Sequence, residues 1–352
     1  MKRHPVVEED LAQICAAAEV PWAELAGTTV LVTGAGGLVA SYVVESLLRW
    51  NELNPIALIR VLALVRDEAK ARRRFAAYEG RGDLVFLVQD VCLPLPAELR
   101  ADFIVHAASP ASPKYFGVDP VGTLGPNVLG THHLLELARR SAARGFVFLS
   151  SGEVYGRVPS GLGRPLTEDD YGPLDPLEVR ACYGESKRAG EMMCKAWQSQ
   201  FGVPARIARL GHTYGPGMDL ADGRVFADFV GRMVRGENIV LLSDGLASRP
   251  FCYLSDAVRG LLVVLLLGQP GSVYNLVNDE GLIRIRDLAE CLVSLVPEKR
   301  LRVVASADAP DSSVPVSPSP GNAVDTGRLR QLGWRPRVSV LDGFRRTIRF
   351  YS

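Results

Sequence analysis

No stretch of this 352-residue chain is apolar for long enough to cross a bilayer. The longest uninterrupted run, Leu261 to Leu267, is far below the ~18–20 residues that a membrane-spanning helix needs. Excess charge of either sign is missing too: 40 Lys and Arg against 39 Asp and Glu leave a formal +1. Neither nucleic acid nor a membrane surface is therefore an expected partner. Cysteine is sparse and dispersed, at Cys15, Cys92, Cys182, Cys194, Cys252 and Cys291, with no CxxC pair and no histidine cluster nearby. That spacing argues against a metal site or a disulfide framework, and reduced thiols in a cytoplasm are the simpler reading. The N-terminus runs from Met1-Lys2-Arg3-His4-Pro5 into Glu8, Glu9 and Asp10, without the apolar stretch of a signal peptide. What is present, 47% apolar and 22% charged residues, is the composition of a globular chain with one large domain or two ordinary ones.

The apolar pattern begins with helical spacing at Leu11, Ile14, Cys15 and Ala18, followed by Pro21-Trp22, which predicts an N-terminal helical extension over residues 1–26. From Thr28 short apolar strands (29–32, 61–65, 84–88, 103–106, 146–149) alternate with helical stretches (40–50, 68–77, 130–140). All-apolar strands separated by helices predict an α/β fold with a doubly wound parallel sheet, here a Rossmann domain over 27–214. Beyond Gly215 the rhythm loosens, with helical runs at 226–235, 256–267 and 285–296 and a Pro/Ser-rich loop at 310–321. This predicts a smaller mixed α/β lobe over 215–352, mainly substrate-binding, with some chain crossing back to the Rossmann domain.

Between the first strand and its helix lies Thr33-Gly34-Ala35-Gly36-Gly37-Leu38-Val39-Ala40. Gly34 and Gly37 permit the sharp turn and close approach to a pyrophosphate, and Ala40 takes the third, packing position. A dinucleotide cofactor follows, with Gly34, Gly37, Leu38, Ala40 and Ala107 as expected contacts. Its identity is open at this point. Arg66 at the end of the second strand suits a 2′-phosphate (NADP) or adenine stacking, whereas Asp67 suits the ribose hydroxyls of NAD; Asp90 and Val91 flank the adenine edge.

Tyr183-Gly184-Glu185-Ser186-Lys187 has YxxxK spacing, which puts phenol and ammonium on one helix face. A cation there favours the phenolate and makes Tyr183 a base for a sugar hydroxyl. Some 30 residues earlier Leu149-Ser150-Ser151-Gly152-Glu153 offers Ser151 to the reacting hydroxyl and Glu153 as acid, base or orienting group.

With these residues in hand, several longer strings resemble the UDP-glucuronate decarboxylase (UDP-xylose synthase) family of extended short-chain dehydrogenase/reductases. They are His106-Ala107-Ala108-Ser109-Pro110-Ala111-Ser112-Pro113, Arg180-Ala181-Cys182-Tyr183, Lys187-Arg188-Ala189-Gly190-Glu191, Asp222-Gly223-Arg224-Val225, Arg249 to Asp256 and Leu332-Gly333-Trp334-Arg335-Pro336. The resemblance implies a retained NAD that oxidises C4 of UDP-glucuronate, loss of CO2 from the β-keto acid, and re-reduction to UDP-xylose. It implies Tyr183 as base, Lys187 as its partner, Ser151 and Glu153 around C4 and C5, and Arg249 beside pyrophosphate and carboxylate, a role that suits a bidentate guanidinium. It places Pro113, Lys114, Tyr115, Asn127, His212 and Arg224 around the substrate, and it implies a homodimer.

Three positions depart from that family's pattern. Gly152 stands where a hydroxyl is expected, His212 where an asparagine is, and Phe116 where a tyrosine is. Gly152 removes the acid that a 4,6-dehydratase requires and a hold on the intermediate, so some UDP-4-keto-xylose is expected to escape before re-reduction. A nucleotide-sugar 4-epimerase or 4,6-dehydratase is the alternative enzyme, and a non-catalytic NADP-sensing protein the alternative of another class.

Overall fold

Thr29-Val30-Leu31-Val32-Thr33 is the first of seven parallel strands, and its alternate side chains enter different cores. Val30 and Val32 face one helical layer and Leu31 the other, all essentially solvent-free. Two buried faces explain why these strands read as unbroken apolar runs. The computed structural model describes residues 3–158, 162–305 and 323–352.

The strands of the main sheet are β1 (Thr29–Thr33), β2 (Arg60–Val65), β3 (Leu84–Val88), β4 (Phe103–His106), β5 (Gly145–Ser151), β6 (Ala205–Leu210) and, after three strands of the second lobe, β10 (Val273–Leu276). Their spatial order is β10-β6-β5-β4-β1-β2-β3. The order reverses between β1 and β4, the place where such sheets open a crevice at the strands' carboxyl ends. α1 (Pro5–Cys15), α2 (Leu38–Leu53) and α8 (Leu254–Leu267) pack on one another in the core that takes in Val30 and Val32. α5 (Thr131–Arg140) and α6 (Cys182–Phe201) lie on the other side, with α4 (Pro120–Gly125) against α6, whereas α3 (Glu68–Arg74) buries Ala71 in the first core.

The second lobe carries β7 (His212–Tyr214), β8 (Ile239–Leu241), β9 (Ser248–Tyr253), β11 (Leu282–Arg284) and β12 (Val303–Ala305). Its helices are α7 (Val225–Arg235), α9 (Ile285–Ser294) and α11 (Val340–Tyr351), whereas α10 (Gly327–Gln331) packs back on β10 and buries Leu329 in the first core. Its core is aromatic: Tyr214 stacks on Phe344 at 3.9 Å, with Phe226, Phe251 and Tyr253 around them.

The differences from the sequence reading are local. The 68–77 helix stops at Arg74 and continues as a 3-10 turn over Ala76–Tyr78, and the 130–140 helix is preceded by a π-helical turn over Pro126–Gly130. The N-terminal segment is integral to the fold, because Val6, Leu11 and Ile14 are fully buried and Asp10 accepts from the Tyr253 hydroxyl at 2.7 Å. The Pro/Ser-rich loop expected at 310–321 lies outside the described residues.

Candidate active site

One cavity of about 300 Å³ lies at the carboxyl ends of β1, β4, β5 and β6 and runs under the second lobe. At one end is the glycine turn. Gly34 has φ +61°, and a Cβ there would lie 2.7 Å from the Ala108 Cα, so only glycine permits the approach of the two loops. Gly37 is the N-cap of α2 and supplies no side-chain cap, leaving the helix's first N–H groups for an anion. Gly37, Leu38, Ala40 and Ala107 line the cavity, as does Ser109, whose buried hydroxyl has no hydrogen-bond partner among the described residues. Arg66 and Asp90 stand outside the lining, paired with each other at 3.9 Å. Asp67 caps α3 by accepting from the Lys70 N–H at 2.8 Å, and Val91 is buried against Gly130.

In the middle are the groups read as catalytic. Gly202, left-handed at φ +70°, ends α6. Gly190 lets that helix press on β5, since a Cβ would come within 2.5 Å of the Phe148 ring. Tyr183 and Lys187, one turn apart on α6, both reach the cavity together with Ser151 and Glu153. The Lys187 ammonium donates to the Leu149 carbonyl at 2.6 Å and lies 5.6 Å from the centroid of the Tyr183 ring. Burial pushes the Tyr183 phenol up to about 12, against a hydrogen bond with Ser151, and burial pulls Lys187 down to about 7. Both shifts oppose charge in a dry site: they move the two groups apart in proton affinity, holding the phenol protonated and disfavouring the ammonium.

At the far end His212, Arg224 and Pro113 join the lining. Burial pulls His212 down to about 3, helped by the cations Arg249 and Arg224, so its imidazole is neutral. Arg249 is buried and feels the charge of Glu153, although it is not in the lining, which its neighbour Pro250 joins. Arg224 pairs with Asp222. Lys114 turns to Asp219 at 3.4 Å and to the Ala221 carbonyl at 3.2 Å, and Tyr115 is exposed; neither lines the cavity. Asn127 is fully buried in the π-helical turn, donating to the Thr123 carbonyl and the Ser186 hydroxyl. Phe116 is in the lining instead, with its ring on that of Tyr183.

Sequence reading overlooked Tyr155, Arg209 and Asn275, which also face the cavity. Arg209 and Asn275 are register partners on β6 and β10, 66 positions apart, so no local spacing signals them. Ser109 lay in a string already singled out, but a lone hydroxyl gave no sign of its burial. Among the described residues no cluster of metal ligands occurs, and no helix is long and apolar enough to cross a membrane.

The comparisons with known proteins fit this geometry. The NAD dependent epimerase/dehydratase family matches residues 30–276. Over 317 residues the chain is 34% identical to UDP-glucuronic acid decarboxylase 6 of Arabidopsis thaliana, covering 89% of this chain and 86% of that protein. Among solved structures, the dTDP-glucose 4,6-dehydratase DesIV of Streptomyces venezuelae aligns with a TM-score of 0.74 at 29% identity, over 92% of this chain and 96% of the other. UDP-glucose 4-epimerase of Thermotoga maritima aligns with a TM-score of 0.76 at 23% identity, over 92% and 98%, a likeness of fold.

Proposed function

The chain belongs to the NAD dependent epimerase/dehydratase family and, within it, to the UDP-glucuronic acid decarboxylases, and from that premise we propose that it converts UDP-glucuronate to UDP-xylose and CO2 with NAD, releasing part of the 4-keto pentose, each such release leaving one dinucleotide as NADH. The observation that carries this is the opening of Tyr183, Ser151 and Lys187 onto the same cavity as the Gly34–Ala40 turn at one end and Arg224 and His212 at the other.

NAD suits the first end on two observations: the cradle at Gly34 that a Cβ would fill, and the buried Ser109 hydroxyl, which has no partner among the described residues. The pairing of Arg66 with Asp90 occupies the cation that would have welcomed a 2′-phosphate, and supports NAD over NADP. When bound, NAD takes up the C4 hydrogen with its electron pair and returns it.

The residues of the chain do the rest. Tyr183 takes the proton of the C4 hydroxyl, Lys187 stabilises the phenolate, and Ser151 holds the C4 oxygen. The C5–carboxylate bond then breaks, its electron pair delocalises into the C4 carbonyl, and CO2 leaves. Glu153 handles proton traffic at C5. Arg249 offers a guanidinium to the pyrophosphate or carboxylate. Arg224 and neutral His212 serve the phosphate end by N–H donation, beside Pro113. Lys114, Tyr115 and Asn127 act behind this layer, on loop placement and α6 packing. Gly152 brings no acid for losing water, which disfavours dehydration.

We read residues 27–214 as the cofactor domain, 215–352 as mainly the substrate lobe, and 1–26 as an extension. Exposed Val118, Val121, Leu129 and Met192 about α4 and α6 support a homodimer, and six free cysteines support a reducing cytoplasm. The test is release of labelled CO2 from UDP-glucuronate labelled at its carboxyl carbon, with identification of the dinucleotide that copurifies. Label kept in the sugar would overturn the proposal.

A further inference from the structure

Successive turns of α6 grip three consecutive residues at the end of β5. Tyr183 shares the cavity lining with Ser151, which lowers its proton affinity, Lys187 donates to the Leu149 carbonyl at 2.6 Å, and Glu191 accepts from the Ser150 hydroxyl at 2.6 Å. The three side chains are four residues apart and share one helix face. Glu191 has no part in the chemistry above, yet it is 9% exposed and both its oxygens are held by Arg209, Nε to Oε1 at 2.9 Å and Nη2 to Oε2 at 2.8 Å. Arg209 in turn lines the cavity, lies 4.8 Å over the Tyr155 ring and donates to the Glu168 carbonyl at 2.9 Å.

We propose that Glu191 is a positioning residue of the reaction: with Arg209 it sets the local potential at the Tyr183–Lys187 pair, and through Ser150 it fixes the strand end that presents Ser151. The inference rests on the reading of Tyr183 and Lys187 as the proton-transferring pair.

Burial disfavours the Lys187 ammonium, and the Glu191 carboxylate one turn away opposes that effect. The other groups facing Lys187 carry no charge at neutral pH. Tyr183 and Cys194 on its own helix are pushed up by burial, and His106 from β4 is pulled down to about 3; the Phe148 ring from β5 completes the surround. Removing the charge of Glu191 makes the potential at the pair more positive and moves both of its proton dissociations to lower pH. Removing the charge of Arg209 does the reverse. A residue that only packs would move neither.

The test is the pH dependence of kcat on UDP-glucuronate. Glu191→Gln is expected to shift both limbs down by about one pH unit and to lower kcat about tenfold with KM nearly unchanged. Arg209→Gln is expected to shift them up, and Glu191→Asp to leave them in place. Limbs that stay fixed in both Gln variants, or move the same way, overturn the proposal. Should those variants not fold, Ser150→Ala spares both charges: a severalfold loss in kcat at constant KM is expected, and an unchanged kcat overturns the grip on β5. Ultraviolet titration of the Tyr183 phenol (parent minus Tyr183→Phe), with and without Glu191→Gln, needs no substrate. A lowered midpoint supports the inference and an unchanged one overturns it, whereas absence of turnover in the unsubstituted enzyme would overturn only the assigned substrate.

Discussion

The ring of Phe116 lies face to face with that of Tyr183, 4.6 Å between centroids and 10° between planes. The loop bearing Phe116 is tied down on both sides. The Cys182 thiol donates to the Phe116 carbonyl at 3.5 Å, and Lys114 and Ser112 reach Asp219 and the Asp222 carbonyl of the other lobe. The phenol therefore has one aromatic face covered, which excludes water and fixes its plane.

Phe116→Ala uncovers that face. We expect kcat to fall about tenfold, the order of loss from modest misplacement of a reacting group, while Phe116→Tyr keeps the stack and most of the rate. Steady-state kinetics on UDP-glucuronate measure both, and equal rates for the Ala variant and the unsubstituted enzyme would remove Phe116 from the account.

Tyr183→Phe preserves the stack and deletes the base. A loss of about 10²–10⁴-fold in kcat is expected, with cofactor retention unchanged. A loss of copurifying dinucleotide alongside the rate would mean that the phenol serves binding instead.

Gly34→Ala forces a Cβ to within 2.7 Å of Ala108 at φ +61°. A left-handed backbone costs a non-glycine residue ~1–2 kcal/mol before any clash. The protein is expected to lose its dinucleotide and several degrees of melting temperature, read from absorbance of the denatured supernatant and by calorimetry. Full dinucleotide occupancy in the variant would contradict the assigned cradle.

His106 is buried against Thr33 and Thr131, and burial pulls it down to about 3. The unfolded chain binds a proton there below about 6.5, whereas the folded chain does not until about 3. The contribution of His106 is therefore fully present above 6.5 and drains away as pH falls through that window. Relative to His106→Gln, the unsubstituted protein should lose about 2 kcal/mol between pH 6.5 and 5. Denaturant unfolding at the two pH values reads the difference, and parallel pH slopes would refute the assignment.

Legibility in the sequence followed the range over which each feature is encoded. The Gly34–Ala40 turn and Tyr183–Lys187 are set by spacings within one loop or one helix, so they were readable, as were the strands with two buried faces. Arg209 and Asn275 meet only because β6 and β10 pair in register, and Phe116 meets Tyr183 only because two loops fold together. Arg66 looked free for a 2′-phosphate because its partner Asp90 sits on another strand's end. The π-helical turn that buries Asn127 has no local signature beyond Pro126.

The central claim is that the C4 carbonyl made at Tyr183 serves to release CO2. Mass spectrometry of the UDP-sugar formed from UDP-glucuronate, with no dinucleotide added, tests it most directly. The account predicts a UDP-pentose lighter than the product of simple C4 inversion by the mass of CO2, accompanied by its 4-keto form in an amount no greater than the bound dinucleotide, since each 4-keto sugar released leaves one NADH behind. A product of unchanged mass, or one lighter only by water, would contradict it.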